Sequence, residues 1–351
     1  MAPSNFVAAA YDSLEHTYDS AFLSDYSHVR TDLSRLYNMA KQAQWDATTD
    51  LDWSRDVDPE KPFRPVEESA LYGTRHWNKL TEREKLKLNH EYMAWTLSQF
   101  LHGEQGALMA TAQIVDSVPN IDAKLYAATQ VMDEARHVEA YDRYLHEKLE
   151  IVYPVNPELR TLLDQILRDS RWDMKYLGMQ ILVEGLALAA FQVIRDHTYE
   201  PLLCDITAMV MKDEARHVAF GVLSLKDYYK ELTEPEVRER VEFVYEGCRL
   251  MRDRLLGREV YEKMGMDVRA CIEIEFRDEM SKLFRRAMFS KIVPNVKKLG
   301  LLTDDLRRGF EELGVLEYEN LPSSEEEVVS SDATLSRLLA GDQPGAVRMA
   351  S

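Results

Sequence analysis

The chain has 351 residues, 45% of them hydrophobic, and 61 acidic against 43 basic side chains give a formal net charge of −18. That charge disfavours nucleic acids and anionic membrane surfaces as partners. Three widely spaced cysteines do not suggest a disulfide framework, and no signal peptide is recognisable, so we expect a cytoplasmic protein. Only 14 Gly and 12 Pro favour long helices.

Residues 1–80 are predicted to contain N-terminal helices and a covering loop. Within residues 1–44, apolar side chains recur at helical spacing, as in Leu33, Leu36 and Ala40. From residue 45 to residue 77 this periodicity gives way to Asp, Pro and aromatic residues. Such a composition predicts a long loop packed over the rest of the protein.

Residues 81–230 are predicted to form a four-helix bundle. Thr81 and Glu84 have the spacing of a capping box, which predicts a helix from there to about residue 118. Three more helices are predicted at about 121–150, 157–197 and 202–230, with prolines between them. The stretch 176–194 is apolar enough to span a membrane, but a glutamate at its centre would be costly in lipid. We therefore interpret it as a buried bundle helix and expect no membrane partner.

Residues 231–315 are predicted to form additional C-terminal helices, one from 233 to about 256 and another near 268–298. Residues 316–351 are rich in Ser and Glu and poor in large apolar side chains, which predicts a disordered tail. The predicted fold class is therefore all-α, a four-helix bundle core with additional N- and C-terminal helices.

One phrase occurs twice in the bundle region. Residues 133–138 and 213–218 both read Asp-Glu-Ala-Arg-His-Val. In each half a lone glutamate precedes the Glu-x-x-His of this phrase by 30 positions. Residues three apart on a helix share a face, so the Glu and His of each motif can bind one ion together. The six predicted metal ligands are Glu104, Glu134, His137, Glu184, Glu214 and His217.

Four carboxylates and two imidazoles are typical of a dinuclear iron or manganese site inside a four-helix bundle. A single Glu-x-x-His is a weak signal, and buried salt bridges to Arg136 and Arg216 are the alternative for each glutamate. That alternative does not explain the duplicated histidines. Glu104 and Glu184 also have apolar neighbours at helical spacing, where an unpaired carboxylate would be costly.

The residues beside the ligands fit a supporting role. Asp133 and Asp213 each precede a predicted ligand and lie on the adjacent helix face. We predict that each accepts a hydrogen bond from the histidine of the opposite half, while Arg136 and Arg216 balance their charge. The alternative is that all four are ordinary solvated residues.

A glutamate followed about thirty residues later by Asp-Glu-x-Arg-His, stated twice, resembles the ferritin-like di-iron oxygenases and oxidases. The similar members are bacterial multicomponent monooxygenase hydroxylases, acyl carrier protein desaturases and the small subunit of class I ribonucleotide reductase. The resemblance covers about residues 82–230. It implies a ferritin-like bundle in which the six residues bind two iron ions, or a manganese–iron pair, that react with dioxygen.

Two departures and one match relate this chain to those relatives. Where many monooxygenases and desaturases have a threonine one turn after the third-helix glutamate, this chain has Ala187 and Leu188. Arylamine N-oxygenases have an additional histidine ligand where this chain has Val210, which argues against an N-oxygenase of that ligation type. Tyr141 follows the first histidine at the spacing of the radical tyrosine of the reductase subunit. The alternative is a core tyrosine, and its counterpart in the second half is Gly221.

The leading hypothesis is an oxygenase or oxidase that uses dioxygen to hydroxylate, N-oxygenate or desaturate a small, partly apolar organic molecule. We predict that the substrate pocket is lined by Leu108, Ala187, Leu188 and Phe220. Electrons are expected from a separate reductase or from the substrate, and the protein is expected to be a homodimer. The alternatives are a radical-storing or manganese–iron oxidase and a ferroxidase.

Overall fold

Helices dominate the computed structural model, which describes residues 13–17 and 19–328 and has no β-strand within them. In chain order the helices are α1 (Thr31–Gln42), α2 (Glu82–Ser117), α3 (Ile121–Arg143), α4 (Pro157–Arg168), α5 (Trp172–His197), α6 (Pro201–Leu225), α7 (Glu234–Asp253), α8 (Arg258–Lys263), α9 (Val268–Arg277), α10 (Glu279–Ala287), α11 (Ile292–Lys298) and α12 (Asp304–Leu313). The all-α prediction is confirmed.

Helices α2, α3, α5 and α6 form the central bundle. Helix α2 packs on α3 and α5 packs on α6, while contacts between α2 and α5 and between α3 and α6 close the ring. The predicted capping box begins α2, since Thr81 accepts from the backbone N–H of Glu84 and Glu84 accepts from that of Thr81. Glu200 caps α6 by accepting the N–H groups of Leu202 and Leu203 at 3.0 and 2.6 Å.

The single helix predicted for residues 157–197 is wrong. The chain ends α4 at Arg168, where Asp169 takes an extended conformation and its carboxylate accepts from the side chain of Arg171. A new helix, α5, then begins at Trp172. This break lets α4 leave the bundle and pack across α2 and α7, while α5 runs inside the bundle.

Helix α5 is the one helix in the described residues that is long and apolar enough to cross a membrane. Within its most apolar stretch, 83% of the residues are buried inside the protein. The interpretation as a core helix agrees with this burial. Its middle part, Leu177–Val183, is π-helical, and regular α-helix resumes at Glu184. A π-helical turn shifts the register of a helix and frequently occurs at functional sites.

The N-terminal part covers one side of the bundle. Helix α1 packs against α3 and α6, and the loop that follows places Trp45, Phe63 and Trp77 in the core. One helix is therefore present in residues 13–17 and 19–44. The prediction of a further helix before α1 falls partly on residues 1–12, which lie outside the described residues.

The C-terminal helices pack against α2, α4 and α5, since α7 contacts α4 and α5 and α8 contacts α2. The prediction of disorder from residue 316 is wrong for residues 316–328, which form a 3₁₀ turn and a short helix. The polar composition that suggested disorder instead makes hydrogen bonds. Ser324 exchanges two with Asn295, both of 2.9 Å, and Glu327 pairs with Lys291. Residues 329–351 lie outside the described residues, and the predicted domain boundaries stay predictions.

Candidate metal centre

Each bundle helix contributes at least one of the six predicted ligands to a common buried cluster. Helix α2 carries Glu104, α3 carries Glu134 and His137, α5 carries Glu184, and α6 carries Glu214 and His217. All six side chains are buried, with 6% or less of each residue exposed. The duplicated phrase therefore brings its two halves face to face.

The histidines point their Nδ1 atoms at the carboxylates. His137 Nδ1 lies 3.2 Å from Glu104 Oε2, 3.3 Å from Glu134 Oε2 and 3.2 Å from Glu214 Oε1. His217 Nδ1 lies 3.2 Å from Glu134 Oε1 and 3.3 Å from Glu214 Oε1. The atoms form two groups, each within 4.8 Å, and Glu134 belongs to both. A carboxylate shared in this way is suited to bridge two ions.

The donor atoms of the cluster fit a dinuclear cation site. Within the part of the chain that the structure describes, five donor atoms are fully buried and have no hydrogen-bond partner: Glu134 Oε2, Glu184 Oε2, both carboxylate oxygens of Glu214 and His217 Nδ1. Buried polar atoms are rarely left without partners, and coordination to a cation would satisfy all five. Two divalent cations would also balance the charge of the four glutamates. Iron and manganese accept this mixture of carboxylates and imidazoles.

The raised pKa values of the cluster residues indicate that negative charge accumulates at this site and that a bound cation or proton is favourable there. Burial, followed by repulsion from Glu214, raises the pKa of Glu104 and of Glu184 well above the ordinary value. Burial alone would lower the pKa of His137, but attraction to Glu104 outweighs it and raises that pKa well above 6.5. The pKa of His217 is raised for the same reason, with Glu214 as the main partner. In metal-free protein, protons therefore replace the missing cations.

We expect the stabilisation that the metal gives to grow with pH. The raised histidine pKa values stabilise metal-free protein fully below the unfolded value of 6.5, and this stabilisation is lost as pH rises through the folded values. The raised pKa values of Glu104 and Glu184 act in the same direction. Ligands bind metal in their deprotonated forms, so loaded protein does not share this loss. The difference in Tm between loaded and metal-free protein, measured from about pH 6.5 to about pH 8, should increase. A constant difference would contradict proton release on metal binding.

Two aspartate–arginine pairs lie behind the histidines. His137 Nε2 is 3.3 Å from Asp213 Oδ2, and His217 Nε2 is 3.2 Å from Asp133 Oδ2, so each aspartate contacts the histidine of the opposite half. Arg136 donates to Asp133, and Arg216 donates to Asp213. These are the contacts that the sequence predicts. A carboxylate on Nε2 places the ring proton there and leaves Nδ1 available for an ion.

Two residues of the N-terminal loop complete this layer, and neither was predicted from the sequence. Trp45 Nε1 donates to Asp213 Oδ2 at 2.7 Å, and its ring stacks with that of His137 at a centroid distance of 6.4 Å. Gln44 Nε2 donates to Asp133 Oδ1 at 3.0 Å. The covering loop therefore fixes both aspartates. Each of these two contacts joins residues that are about ninety or more positions apart in the chain. The only feature of the sequence that could have indicated them is the position of the loop immediately after α1.

Asp213→Asn should weaken metal binding by about 10-fold to 100-fold, because an amide holds His137 less firmly in the required orientation. The fold should persist, since the amide can still accept from Trp45. Metal affinity is measured by competition with a chelator. Asp142→Asn, on the exposed surface of α3, is the control and should bind metal normally. Equal metal affinities of the two variants would contradict a role of Asp213 in the metal centre.

Gln130 is a further residue of the site that was not predicted from the sequence. Its Nε2 donates to Glu134 Oε1 and to Glu184 Oε1, both at 3.0 Å, and so connects α3 to α5. Its counterpart in the second half of the repeat is Val210, which is fully buried and offers no polar atom. The two residues occupy the same position in the repeat, four residues before Glu-x-x-His, yet one is polar and the other apolar. This difference between the two halves is the feature of the sequence that could have indicated Gln130.

Tyr141 lies one turn after His137 and is fully buried. Among the described residues its hydroxyl has no hydrogen-bond partner, and burial raises its pKa well above 10. Its counterpart Gly221 is required for close packing, because a Cβ there would be 2.7 Å from Gln180 Cβ. The tight contact between α5 and α6 therefore explains in part why only the first half of the repeat has a tyrosine at this position.

A cavity of about 330 Å³ with mainly apolar walls lies beside the bundle. Its walls come from α2, α5, the loop before α2 and the helices from the end of α7 to α10. Phe100 connects it to the metal centre: it lines the cavity, lies one turn before Glu104, and packs against Phe191 and Tyr141 at centroid distances of 4.7 and 6.0 Å. A cavity of this size accepts a small organic molecule.

The predicted pocket residues do not line this cavity, and their assignment to a substrate pocket stays a prediction. On α5, the cavity is lined by Leu186, Ala190 and Ile194, whereas Leu188 lies on the other face, one turn after Glu184. Leu108 and Ala187 are half-buried elsewhere. Phe220 packs instead against Tyr126 and Tyr176, at centroid distances of 4.3 and 5.0 Å.

A four-helix bundle that surrounds four buried glutamates and two Glu-x-x-His histidines defines the ferritin-like class of dinuclear oxygenases and oxidases. Two solved structures of variants of an R2-like ligand-binding oxidase, with Mn/Fe cofactor reconstituted aerobically or anaerobically, share this fold. Their TM-scores are 0.53 and 0.51 at 16% identity, and each match covers 80% of this chain and 95% of the other.

The family model described as p-aminobenzoate N-oxygenase AurF matches residues 26–300, and the chain belongs to this family. It is therefore an O₂-dependent di-iron oxidoreductase. No curated protein matches the sequence. Val210 is fully buried and offers no ligand atom, so the family match leaves untested the expectation that this chain lacks the additional histidine ligand.

Proposed function

We propose that the protein uses dioxygen to N-oxygenate a small organic amine. The observation that carries this proposal is the mainly apolar cavity lined in part by Phe100, which lies one turn before Glu104 of the buried carboxylate–histidine cluster. The family named after p-aminobenzoate N-oxygenase supports the reaction type. A cavity large enough for one organic molecule also favours an organic substrate over the ferroxidase alternative.

The six buried residues would hold the cofactor: Glu104, Glu134, His137, Glu184, Glu214 and His217. Two iron ions, or a manganese–iron pair, would supply the electrons and the Lewis acidity that dioxygen activation requires. The chain itself orients the ligands through Asp133, Asp213 and Gln130. Phe100, Phe191 and Tyr141 form an apolar layer that excludes water between the cavity and the cluster.

Transfer of one oxygen atom of O₂ to the amine nitrogen, with reduction of the other to water, consumes two electrons and two protons. We propose that a separate reductase supplies the electrons. We also propose a homodimer located in the cytoplasm, the location expected from the cysteine content. Cross-linking and cell fractionation would test these two proposals directly.

The reaction type is tested with reduced, metal-loaded protein, a panel of aromatic amines and ¹⁸O₂. We expect mass spectrometry to find labelled hydroxylamine or nitroso products, and none with metal-free protein as the control. Label incorporated only at ring carbon would contradict N-oxygenation. Dioxygen consumption that yields ferric iron and no labelled organic product would favour the ferroxidase alternative.

A further inference from the structure

The two groups of donor atoms in the cluster are not equivalent. The first cation position is formed by four residues: Glu104, Glu134, His137 and Glu214. The second cation position is formed by three residues: Glu134, Glu184 and His217. A strict repeat of 80 residues would give both positions the same residue types in the same number. The structure therefore departs from the symmetry of the sequence at the centre of the bundle.

Gln130 breaks this symmetry directly beside the ligands. It is fully buried on α3, four residues before Glu134. Its Nε2 donates to Glu134 Oε1, the oxygen that lies 3.2 Å from His217 Nδ1, and also to Glu184 Oε1. Both acceptors belong to the second cation position. The equivalent residue of the other half is Val210, whose side chain has no polar atom to donate.

The hydrogen bonds of Gln130 serve the carboxylates and leave its own amide incompletely paired. Within the described residues, its Oε1 is buried and has no hydrogen-bond partner. A glutamine that only joined two helices would be expected to use both ends of its amide, because an unpaired buried oxygen costs free energy. The contacts of this side chain suit a residue that orients carboxylates for an ion.

We propose that the second cation position binds its ion more weakly than the first, and that Gln130 is the positioning residue on which the second position depends. Three protein residues supply fewer donor atoms than four, so an ion in the second position keeps more coordination sites for external ligands. The hydrogen bonds of Gln130 hold Glu134 and Glu184 in place for that ion. This inference concerns the dinuclear centre whatever the substrate is, and so it goes beyond the proposed N-oxygenation.

The two positions are compared by anaerobic titration of metal-free protein with cobalt(II), a divalent ion that accepts the same carboxylate and imidazole ligands. Competition with a chelator gives a dissociation constant for each step, and the visible absorption of cobalt(II) reports the ligands around each ion. For the unaltered protein we expect two resolved steps whose dissociation constants differ by at least about tenfold. Glu184→Ala should remove the weak step and keep the tight one, because Glu184 belongs to the second position alone.

Azide serves as the external ligand in the same titration. We expect it to change the absorption of the ion that binds second and to leave the absorption of the first ion unaltered, since the second ion has more coordination sites open. An effect of azide on the first ion alone would overturn the assignment of the open position.

Gln130→Met removes the amide donor and keeps the length of the side chain. It should weaken the second step by about tenfold to a hundredfold, the usual effect of losing a partner that orients a metal ligand, and leave the first step unchanged. Gln130→Val, which copies the residue of the other half, should have the same effect and provides a second variant if the first does not fold. Circular dichroism and Tm of the metal-free proteins check folding.

Gln180→Met is the matched control. Gln180 is also fully buried inside the bundle and lies four residues before Glu184, but its Nε2 donates to Thr111 at 3.5 Å and not to a predicted ligand. Its variant should keep both dissociation constants. A Gln130→Met protein that keeps both constants, or that loses affinity equally at both steps as a merely loosened bundle would, overturns the role of Gln130.

Two steps of equal affinity in the unaltered protein would overturn the inequivalence of the positions, whether or not any variant folds. The titration involves no turnover, so its result is independent of the test of the reaction with ¹⁸O₂. Label found only at ring carbon would reject N-oxygenation and leave the role of Gln130 intact. Equal affinities together with labelled hydroxylamine or nitroso products would do the reverse.

Discussion

Glu134→Ala is expected to abolish the metal-dependent consumption of dioxygen and to reduce bound iron from about two ions per chain to one or fewer. Glu134 is the residue common to both groups of donor atoms, with Oε2 facing His137 and Oε1 facing His217. Its removal would therefore take a donor atom from both groups at once. Iron content after anaerobic loading and an oxygen-electrode trace measure the two effects.

Glu139→Ala is the control for this substitution. Glu139 lies on the same helix, α3, but is exposed, so its variant should bind iron and consume dioxygen normally. Metal-free Glu134→Ala protein should stay helical, because it loses one of several mutually repelling buried carboxylates. A Glu134→Ala protein that still holds two ions and consumes dioxygen at the normal rate would exclude Glu134 as a ligand.

The sequence predicted the bundle and the composition of its centre because both depend on local periodicity. A glutamate and a histidine three positions apart share a face wherever the helix is placed. A repeat of 80 residues then predicts that two such faces meet. The contacts of Asp133 and Asp213 with the opposite histidines follow from the same geometry.

The remaining parts of the site depend on tertiary contacts that leave no periodic signal. Trp45 reaches Asp213 across 168 residues of sequence, and Arg254 reaches the cavity from the end of α7. Neither occurs in the repeat. The break between α4 and α5 was missed for a related reason: residues 169–171 contain neither Gly nor Pro, and the turn depends on the pairing of Asp169 with Arg171.

The predicted pocket residues differ from those that line this cavity because they were inferred from proximity to the ligands in sequence. A residue one turn after Glu184 lies on the same face of α5 as Glu184. The cavity lies along a different face of that helix, where it is covered by the C-terminal helices and the N-terminal loop. The sequence did not show which face those flanking segments would cover.

Ala190→Phe should therefore block substrate binding while leaving the metal centre intact. Ala190 lines the cavity and is 4% exposed, so a phenyl ring at this position has to occupy part of the 330 Å³. We expect at least a tenfold increase in the Kd of a ligand that binds the parent protein, with two metal ions retained. The existing space should limit the loss of stability to about 1–3 kcal/mol, the usual cost of overpacking. Calorimetry, metal analysis and thermal unfolding measure the three quantities.

Ala187→Phe makes the same change on the same helix, at a half-buried position that the sequence analysis assigned to the pocket but that does not line this cavity. Its ring can extend towards the protein surface, so ligand affinity should stay within about twofold of that of the parent protein, a free-energy change below 0.5 kcal/mol. The two variants thus separate two locations for the substrate. If Ala187→Phe weakened binding and Ala190→Phe did not, the substrate would bind on the Leu188 side of α5, and the cavity described here would have another use.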